Sequence, residues 1–146
     1  MREIHTEIVV DAPPSVVWEV LTDFGSYREW NPQIVEARGT ARPGERVHLR
    51  VRAKGRTRSI PVTVTEATPE RTLSWVGRVP VPWVFEGRHT FELEAVEGGT
   101  HLVNRERSSG LLVPFVVPTD AEADYETMNE ALKRRAESRV EAEAAD

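Results

Sequence analysis

The stretch DAPPSVVWEVLTDFGSYREWNP, from Asp11 to Pro32, decides how the rest of the chain is read. A β-type run, Ile4 to Val10, leads into it. Val17, Val20, Leu21 and Phe24 then fall at the i, i+3, i+4, i+7 spacing of one helical face. Pro13 and Pro14 suit a first helical turn, where a missing N–H leaves no bond unmade. Gly25 suits the stop. A short turn with Tyr27 and Trp30 follows, and Pro32 forces Asn31 toward an extended backbone. These aromatics read as a plug under whatever packs above the helix. With turn-rich strands and one long helix to come, the order predicts a sheet curled around a helix.

From Ile34 onward the period falls to two. Val47, Leu49, Val51 and Ala53 alternate with His48, Arg50, Arg52 and Lys54, a strand with one face inside and one in water. Arg42 to Glu45 supplies the turn before it, and Lys54-Gly55-Arg56 the turn after. Another strand is expected near Ile60 to Ala67, ending at Thr68-Pro69-Glu70, and Leu73, Trp75 and Gly77 share one face of the next. Connections this short pair strands antiparallel. Residues 84–97 and 100–112 flank Gly98-Gly99. A two-residue turn at those glycines puts Glu97 opposite Thr100, Phe91 opposite Glu106, Leu93 opposite Asn104 and His89 opposite Ser108. Alternation then gathers all six inner residues on one face.

After an apolar connector, Leu111 to Val117, Thr119-Asp120-Ala121-Glu122 has the form of a capping box. The helix it opens is expected to reach about residue 141, with a frayed tail at 141–146. Ala121, Tyr125, Met128, Leu132 and Ala136 form its apolar stripe, and Asn129 borders it. No repeat or linker interrupts the 146 residues, so one α+β domain is expected.

Composition narrows function by exclusion. The absence of cysteine excludes disulfides, thiol catalysis and Cys-ligated metals. A net charge of -5 argues against a general affinity for nucleic acid. No apolar run approaches the roughly 18 to 20 residues of a membrane span, and no signal-peptide core follows Met1, so a cytoplasmic protein is expected. The basic stretch Arg46, Arg50, Arg52, Lys54, Arg56 and Arg58 reads as a solvated outer strand face in preference to a docking patch. His5, His48, His89 and His101 lack metal-ligand spacing, and there is neither a Gly-x-Ser-x-Gly elbow nor a phosphate-binding glycine loop. Neither metal nor cofactor is expected.

Five stretches carry a family resemblance: Ala12-Pro13 through Asp23, Trp30-Asn31-Pro32, Gly87 to Phe91, Glu106 with Gly110-Leu111-Leu112, and Tyr125 to Leu132. Over nearly the whole chain they resemble the bacterial polyketide-cyclase branch of the START-like, or SRPBCC, superfamily. The resemblance implies a helix-grip fold: a curved antiparallel sheet of about seven strands wrapped around a long C-terminal helix, with two short helices after the first strand. It also implies a cavity between sheet and helix. Ser108 departs from the pattern, standing where such proteins often carry phenylalanine, which makes the cavity roomier or more polar there. The scaffold hosts carriers, receptors and a few enzymes, so the fold alone does not name the function.

Trp75, Phe91, Tyr125 and Met128 are expected to line that hollow, with Trp30, Leu73, Phe85, Leu93 and Leu132 extending its apolar wall. His89, Asn104, Glu106, Ser108 and Asn129 supply polar groups. A carboxylate at Glu106 is costly inside unless paired, and His89 and Asn104 are suitable partners. Such a cluster either satisfies itself and fixes strand register, or orients a polar group on a mostly apolar ligand. A third reading makes His89 and Glu106 a general acid and base. The uncharged loop Val79 to Val84 either holds Trp83 over the cavity mouth, as a gate or membrane-touching tip, or folds it back onto the first helix. The leading expectation is binding or carriage of a hydrophobic or aromatic small molecule (a lipid, quinone or polyketide-like compound). The alternatives are a polyketide cyclase or dehydratase, and an interaction module docking through the arginine face. No nucleic-acid partner and no stable membrane insertion are expected; transient membrane contact and oligomeric state stay open.

Overall fold

Strand β1 (Arg2–Val10) gives way to two prolines that turn the chain into helix α1 (Pro14–Thr22). Pro13 is the extended residue before the helix, and its carbonyl accepts from the N–H groups of Val16 and Val17 at 3.0 and 3.2 Å. The helix buries Val16, Val17, Val20 and Leu21. It stops at Thr22, before the expected glycine: Asp23 leaves helical geometry with ψ 75°, and Gly25 lies inside a single 3-10 turn, Phe24–Ser26. Helix α2 (Tyr27–Trp30) completes the plug. Tyr27 is fully buried, its hydroxyl donates to the Leu21 carbonyl, and Phe24 packs edge-on against both Tyr27 and Trp75. Asn31 then replaces a turn of backbone with its side chain, Oδ1 accepting from the N–H groups of Gln33 and Ile34 at 3.0 and 2.8 Å.

The computed structural model describes residues 1–53, 55–78, 83–118 and 120–145. The expected turn residue Lys54, the loop Val79 to Pro82 and the capping residue Thr119 lie outside them. Strands β2 (Ile34–Arg38), β3 (Arg46–Ala53), β4 (Arg56–Thr68), β5 (Thr72–Arg78), β6 (Glu86–Val96) and β7 (Gly99–Ser109) join β1 in one antiparallel sheet of order β1-β7-β6-β5-β4-β3-β2. Register slips between Ile34 and Glu36, and between Val64 and Glu66, bend it as bulges do. The arginines of β3 and β4 stand exposed. Arg46, Arg50 and Arg52 lie on the outer face as expected, with Arg50 3.8 Å from Glu36. Arg56 and Arg58 instead pair with Ala53 and Val51 and so share the inner face, which corrects the expectation of a single outer arginine face.

The apolar connector after β7 contains a short helix, α3 (Val113–Val116). Helix α4 (Ala121–Ala145) closes the concave side of the sheet, burying Ala121, Tyr125, Met128, Asn129, Leu132 and Ala136. Its alanines and glutamates are strong helix formers, and the helix runs past the expected end to Ala145. Arg135 and Arg139 pair with Glu29 and Glu19 at 3.0 and 3.1 Å, tying α4 to α2 and α1. No helix of the described residues is long and apolar enough to cross a membrane.

The β6–β7 register differs from the expected one. Val96 pairs with Gly99, so His89 faces Glu106, Phe91 faces Asn104 and Gly87 faces Ser108. The turn is Glu97-Gly98, with Gly98 at φ 81°. Gly99 already belongs to the strand, for another reason: a Cβ there would lie 2.1 Å from the Val10 carbonyl oxygen, where β1 crosses close by. The slip moves each partner by two residues. A shift of two leaves every side chain on its face, so the inner set predicted from alternation survives the wrong register.

The buried side chains form two clusters. The larger joins α1, the sheet and α4 from Met128 onward around Leu21, Leu73, Trp75, Phe91, Met128 and Leu132. The smaller contains Ile4, Val113, Val117, Ala121 and Tyr125, with Phe85 packed against it. The candidate site lies where they part.

Candidate functional site

A directional hydrogen-bond chain crosses the interior from β6 to β1. His89 Nε2 is 2.6 Å from Asn104 Oδ1, Asn104 Nδ2 donates to Asn129 Oδ1 at 2.8 Å, and Asn129 Nδ2 donates to Thr6 Oγ1 at 2.9 Å. Thr6 Oγ1 in turn donates to the Asn104 carbonyl at 2.8 Å. Alternation on β1, β6 and β7 aims Thr6, His89 and Asn104 inward, and Asn129 meets them from α4. Thr6, Asn104 and Asn129 are at most 6% exposed, so each bond replaces water that burial removed.

The His89 ring joins the two apolar clusters. It stacks on Phe91 with centroids 4.5 Å apart and on Tyr125 at 5.2 Å, while Trp75 leans against it at 5.2 Å. Burial holds its imidazole down at about 4, against a smaller upward pull from the bond to Asn104. His89 is therefore neutral at pH 7.

Glu106 lies directly across the ladder from His89 and, on its other side, from Ile4. Both neighbours face inward, and so does Glu106, yet it is only half-buried. Burial pushes its carboxyl up to about 7, and the Arg2 guanidinium offsets part of that rise. Arg2 reaches across the end of the sheet, Nη1 donating to the carbonyls of Val117 (3.1 Å) and Pro118. Beside the carboxylate stand two small inner residues of the hairpin, Gly87 and Ser108, paired across the ladder. This inward carboxylate, flanked by a glycine and a serine, marks the candidate recess between the two clusters.

The expected wall residues divide between packing and recess. Leu73, Leu93, Met128 and Leu132 are tightly packed core, and Trp30 packs on Tyr27 at the plug. Trp75, His89, Phe91 and Tyr125 form one continuous aromatic group, and Phe85 and Ser108 lie at its open end. Trp83 does not fold back onto α1; it is 66% exposed. Its carbonyl accepts from Leu111 N, and the Val84 carbonyl from Leu112 N. Leu111 (68%) and Phe115 (83%) are exposed as well, so three apolar side chains form a rim at this end. Thr6, Arg2 and Gly87 are site residues that sequence reasoning missed. The alternation of Ile4, Thr6, Ile8 and Val10 carried the signal for Thr6; no local pattern marks the other two. The larger described cleft, about 340 Å³, lies on the outer face beside Thr65, Ser74, Arg88 and Thr90, remote from these groups.

A curled seven-stranded sheet gripping a long helix, with a buried polar chain on its inner side, defines a helix-grip protein. Residues 1–137 match the family model described as "Polyketide cyclase / dehydrase and lipid transport", and the chain belongs to that family. A search of curated proteins finds no match. Among solved structures, protein MLL2253 from Mesorhizobium loti is similar with a TM-score of 0.76 at 19% identity, over 94% of this chain and 98% of that one. TTHA0849 from Thermus thermophilus has a TM-score of 0.75 at 17% identity, over 94% and 99%. The di-domain ARO/CYC StfQ from the steffimycin biosynthetic pathway has a TM-score of 0.69 at 11% identity, over 99% of this chain and 52% of that one. At these identities the likeness concerns the fold.

Proposed function

We infer that this chain is a carrier or sensor, working in the cytoplasm, that holds a hydrophobic or aromatic small molecule between its sheet and α4. The observation that carries the reading is Glu106: an inner-face carboxylate, half-buried at the boundary of the two apolar clusters. Small-molecule sites combine apolar walls with a few convergent polar groups, and Trp75, Phe91 and Tyr125 around His89 and Glu106 have that composition. The apolar rim at Trp83, Leu111 and Phe115 supports entry at this end. A lipid, a quinone and a polyketide-like compound all fit an aromatic wall with one polar end, and the family description names lipid transport. Native mass spectrometry and tryptophan quenching with a panel of these compounds test the reading. Adducts and saturable quenching are expected; a protein that takes up none of them is not a carrier.

The second reading, a cyclase or dehydratase, rests on the same pair. A carboxyl that titrates near 7 exchanges protons readily at neutral pH, and a neutral imidazole lies across the ladder from it. Turnover of a polyketide-type substrate, compared between wild type and Glu106→Gln, decides it. Equal product from both removes Glu106 from any mechanism.

A further inference from the structure

The hydrogen-bond chain through the interior has a fixed direction, because it ends on a backbone carbonyl. A carbonyl oxygen only accepts, so Thr6 spends its single hydroxyl proton on Asn104 O. Thr6 Oγ1 must then accept from Asn129, and the amide there is Nδ2. Asn129 therefore turns Oδ1 toward Asn104, which must present its own Nδ2. That leaves Asn104 Oδ1 facing His89 at 2.6 Å, and the proton between them sits on Nε2. Thr6, Asn129 and Asn104 thus set the tautomer of the imidazole: Nε2 protonated, Nδ1 a bare lone pair.

The surroundings of the ring decide where that lone pair acts. Phe91 and Tyr125 both stack on the imidazole, so a hydrogen bond to the ring is made at its edge. Nε2 is consumed by Asn104, and Nδ1 makes no hydrogen bond among the described residues. Nor is it sealed: the fully buried, unpaired side-chain atoms among those residues are Asn31 Nδ2 and Gln33 Oε1. A buried acceptor without a partner has its full hydrogen-bonding capacity to give a guest.

We propose that His89 selects the ligand by accepting a hydrogen bond at Nδ1, so that the molecule bound is an aromatic compound carrying a hydroxyl donor on its ring, a phenol or an enol. The inference rests on the interior-binding reading above and adds the donor requirement to it. Stacked rings around His89 favour a flat, π-rich body beside the donor. The imidazole stays neutral through the physiological range, so it does not convert into a donor. A methyl ether of the same ring system offers oxygen without a proton and leaves Nδ1 unpaired. Sites built to hydrogen-bond a hydroxyl reject analogues lacking it for that reason.

Two measurements on the full chain test this. With ¹⁵N-labelled histidine, long-range ¹H–¹⁵N spectra of the ligand-free protein should show His89 with a pyrrole-type Nε2 and a pyridine-type Nδ1 at pH 7. The opposite tautomer, or a protonated ring, overturns the proposal without any ligand or variant. The second measurement titrates 2-naphthol and 2-methoxynaphthalene, followed by tryptophan fluorescence and by the Nδ1 resonance. Binding about tenfold tighter for the naphthol is expected, with its proton moving the Nδ1 resonance. His89→Phe keeps the stack and should erase the preference. Equal affinities, a naphthol that leaves Nδ1 unmoved, or binding of neither probe by a protein that takes up other members of the lipid and polyketide panel overturns the donor requirement alone. Binding of nothing in either set overturns the interior-binding reading and this one with it.

Discussion

Gly87 holds the space that the Glu106 carboxylate occupies: a Cβ on Gly87 would stand 3.0 Å from Oε1 of Glu106, and 3.4 Å from the edge of the Phe85 ring. The contact is with the end of a flexible side chain, so alanine at 87 is expected to fold, with the carboxylate pushed a few tenths of an ångström. Valine fills the recess. Gly87→Val should cost about 1–3 kcal/mol through overpacking and weaken ligand uptake at least about tenfold. Chemical denaturation and the binding panel read the two effects separately. Uptake unchanged by valine would place the ligand elsewhere.

The neighbouring pair, His89 and Glu106, acts on stability with opposite signs. The native imidazole titrates at about 4, below its ordinary 6.5. Between those values the unfolded chain binds a proton that the native one refuses, so stability rises with pH. The native carboxyl titrates at about 7, above its ordinary 4.5. Over that window the native chain holds a proton that the unfolded one has released, so stability falls as pH rises. The windows overlap from 4.5 to 6.5, and there the two slopes cancel. Wild type should therefore show little net contribution from the pair across that range. Glu106→Gln should gain stability from pH 4 to 6.5, and His89→Phe should lose it from 4.5 to 7, each by about 1–3 kcal/mol. Urea melts at half-unit pH steps measure both. Parallel profiles for the two variants would contradict the assigned shifts.

Much of this was legible in the sequence, and the hairpin shows why the rest was not. Alternation fixes faces, so Thr6, His89, Phe91, Asn104 and Glu106 could be placed inside before any register was known. The register depended on which glycine makes the turn. Adjacent glycines look alike in sequence, while the demand on Gly99 comes from Val10, far away in the chain. The same limit hid Arg2 and Gly87, whose importance comes from Glu106. Trp83 was legible as unusual but not as exposed, because nothing local says whether an apolar loop finds a surface to cover.

The two glycines can be told apart by substitution. Gly98 has φ 81°, and a Cβ added there would meet nothing within 4 Å, so Gly98→Ala should cost about 1 kcal/mol, the backbone strain alone. Gly99→Ala drives a methyl group against the Val10 backbone and cannot be relieved by rotating a side chain. It should cost several times more and loosen the end of β1, seen as faster amide exchange at Val10. Equal costs would favour the symmetrical turn that sequence reading suggested.

Asn129 is the member of the hydrogen-bond chain that α4 contributes. Asn129→Leu keeps the branched heavy-atom outline but leaves Asn104 Nδ2 with only the weak Met128 Sδ acceptor and removes the donor to Thr6. A loss of about 1–3 kcal/mol is expected, as for buried partners left unpaired. It should appear as a lower urea midpoint at unchanged m value. A neutral result would mean that water replaces the amide at once, and the interior there would be wetter than its burial implies.

Trp83 and Trp75 offer the readout that links these variants to uptake. Trp83 is 66% exposed, and Trp75 is 3% exposed within the aromatic group around His89. Surface substitutions away from packed contacts seldom change stability by more than about 0.5 kcal/mol, so Trp83→Phe should leave the melting midpoint in place. It should remove the emission most accessible to acrylamide and leave Trp75 as the most buried reporter beside the half-buried Trp18 and Trp30. A guest in the recess approaches Trp75, and its binding should quench the Trp83→Phe protein as strongly as wild type. Entry past the rim adds a second effect, because Trp83 in wild type then loses quencher access when the guest is bound. Quenching that disappears with Trp83→Phe would locate the guest on the rim, outside the sheet–helix interior.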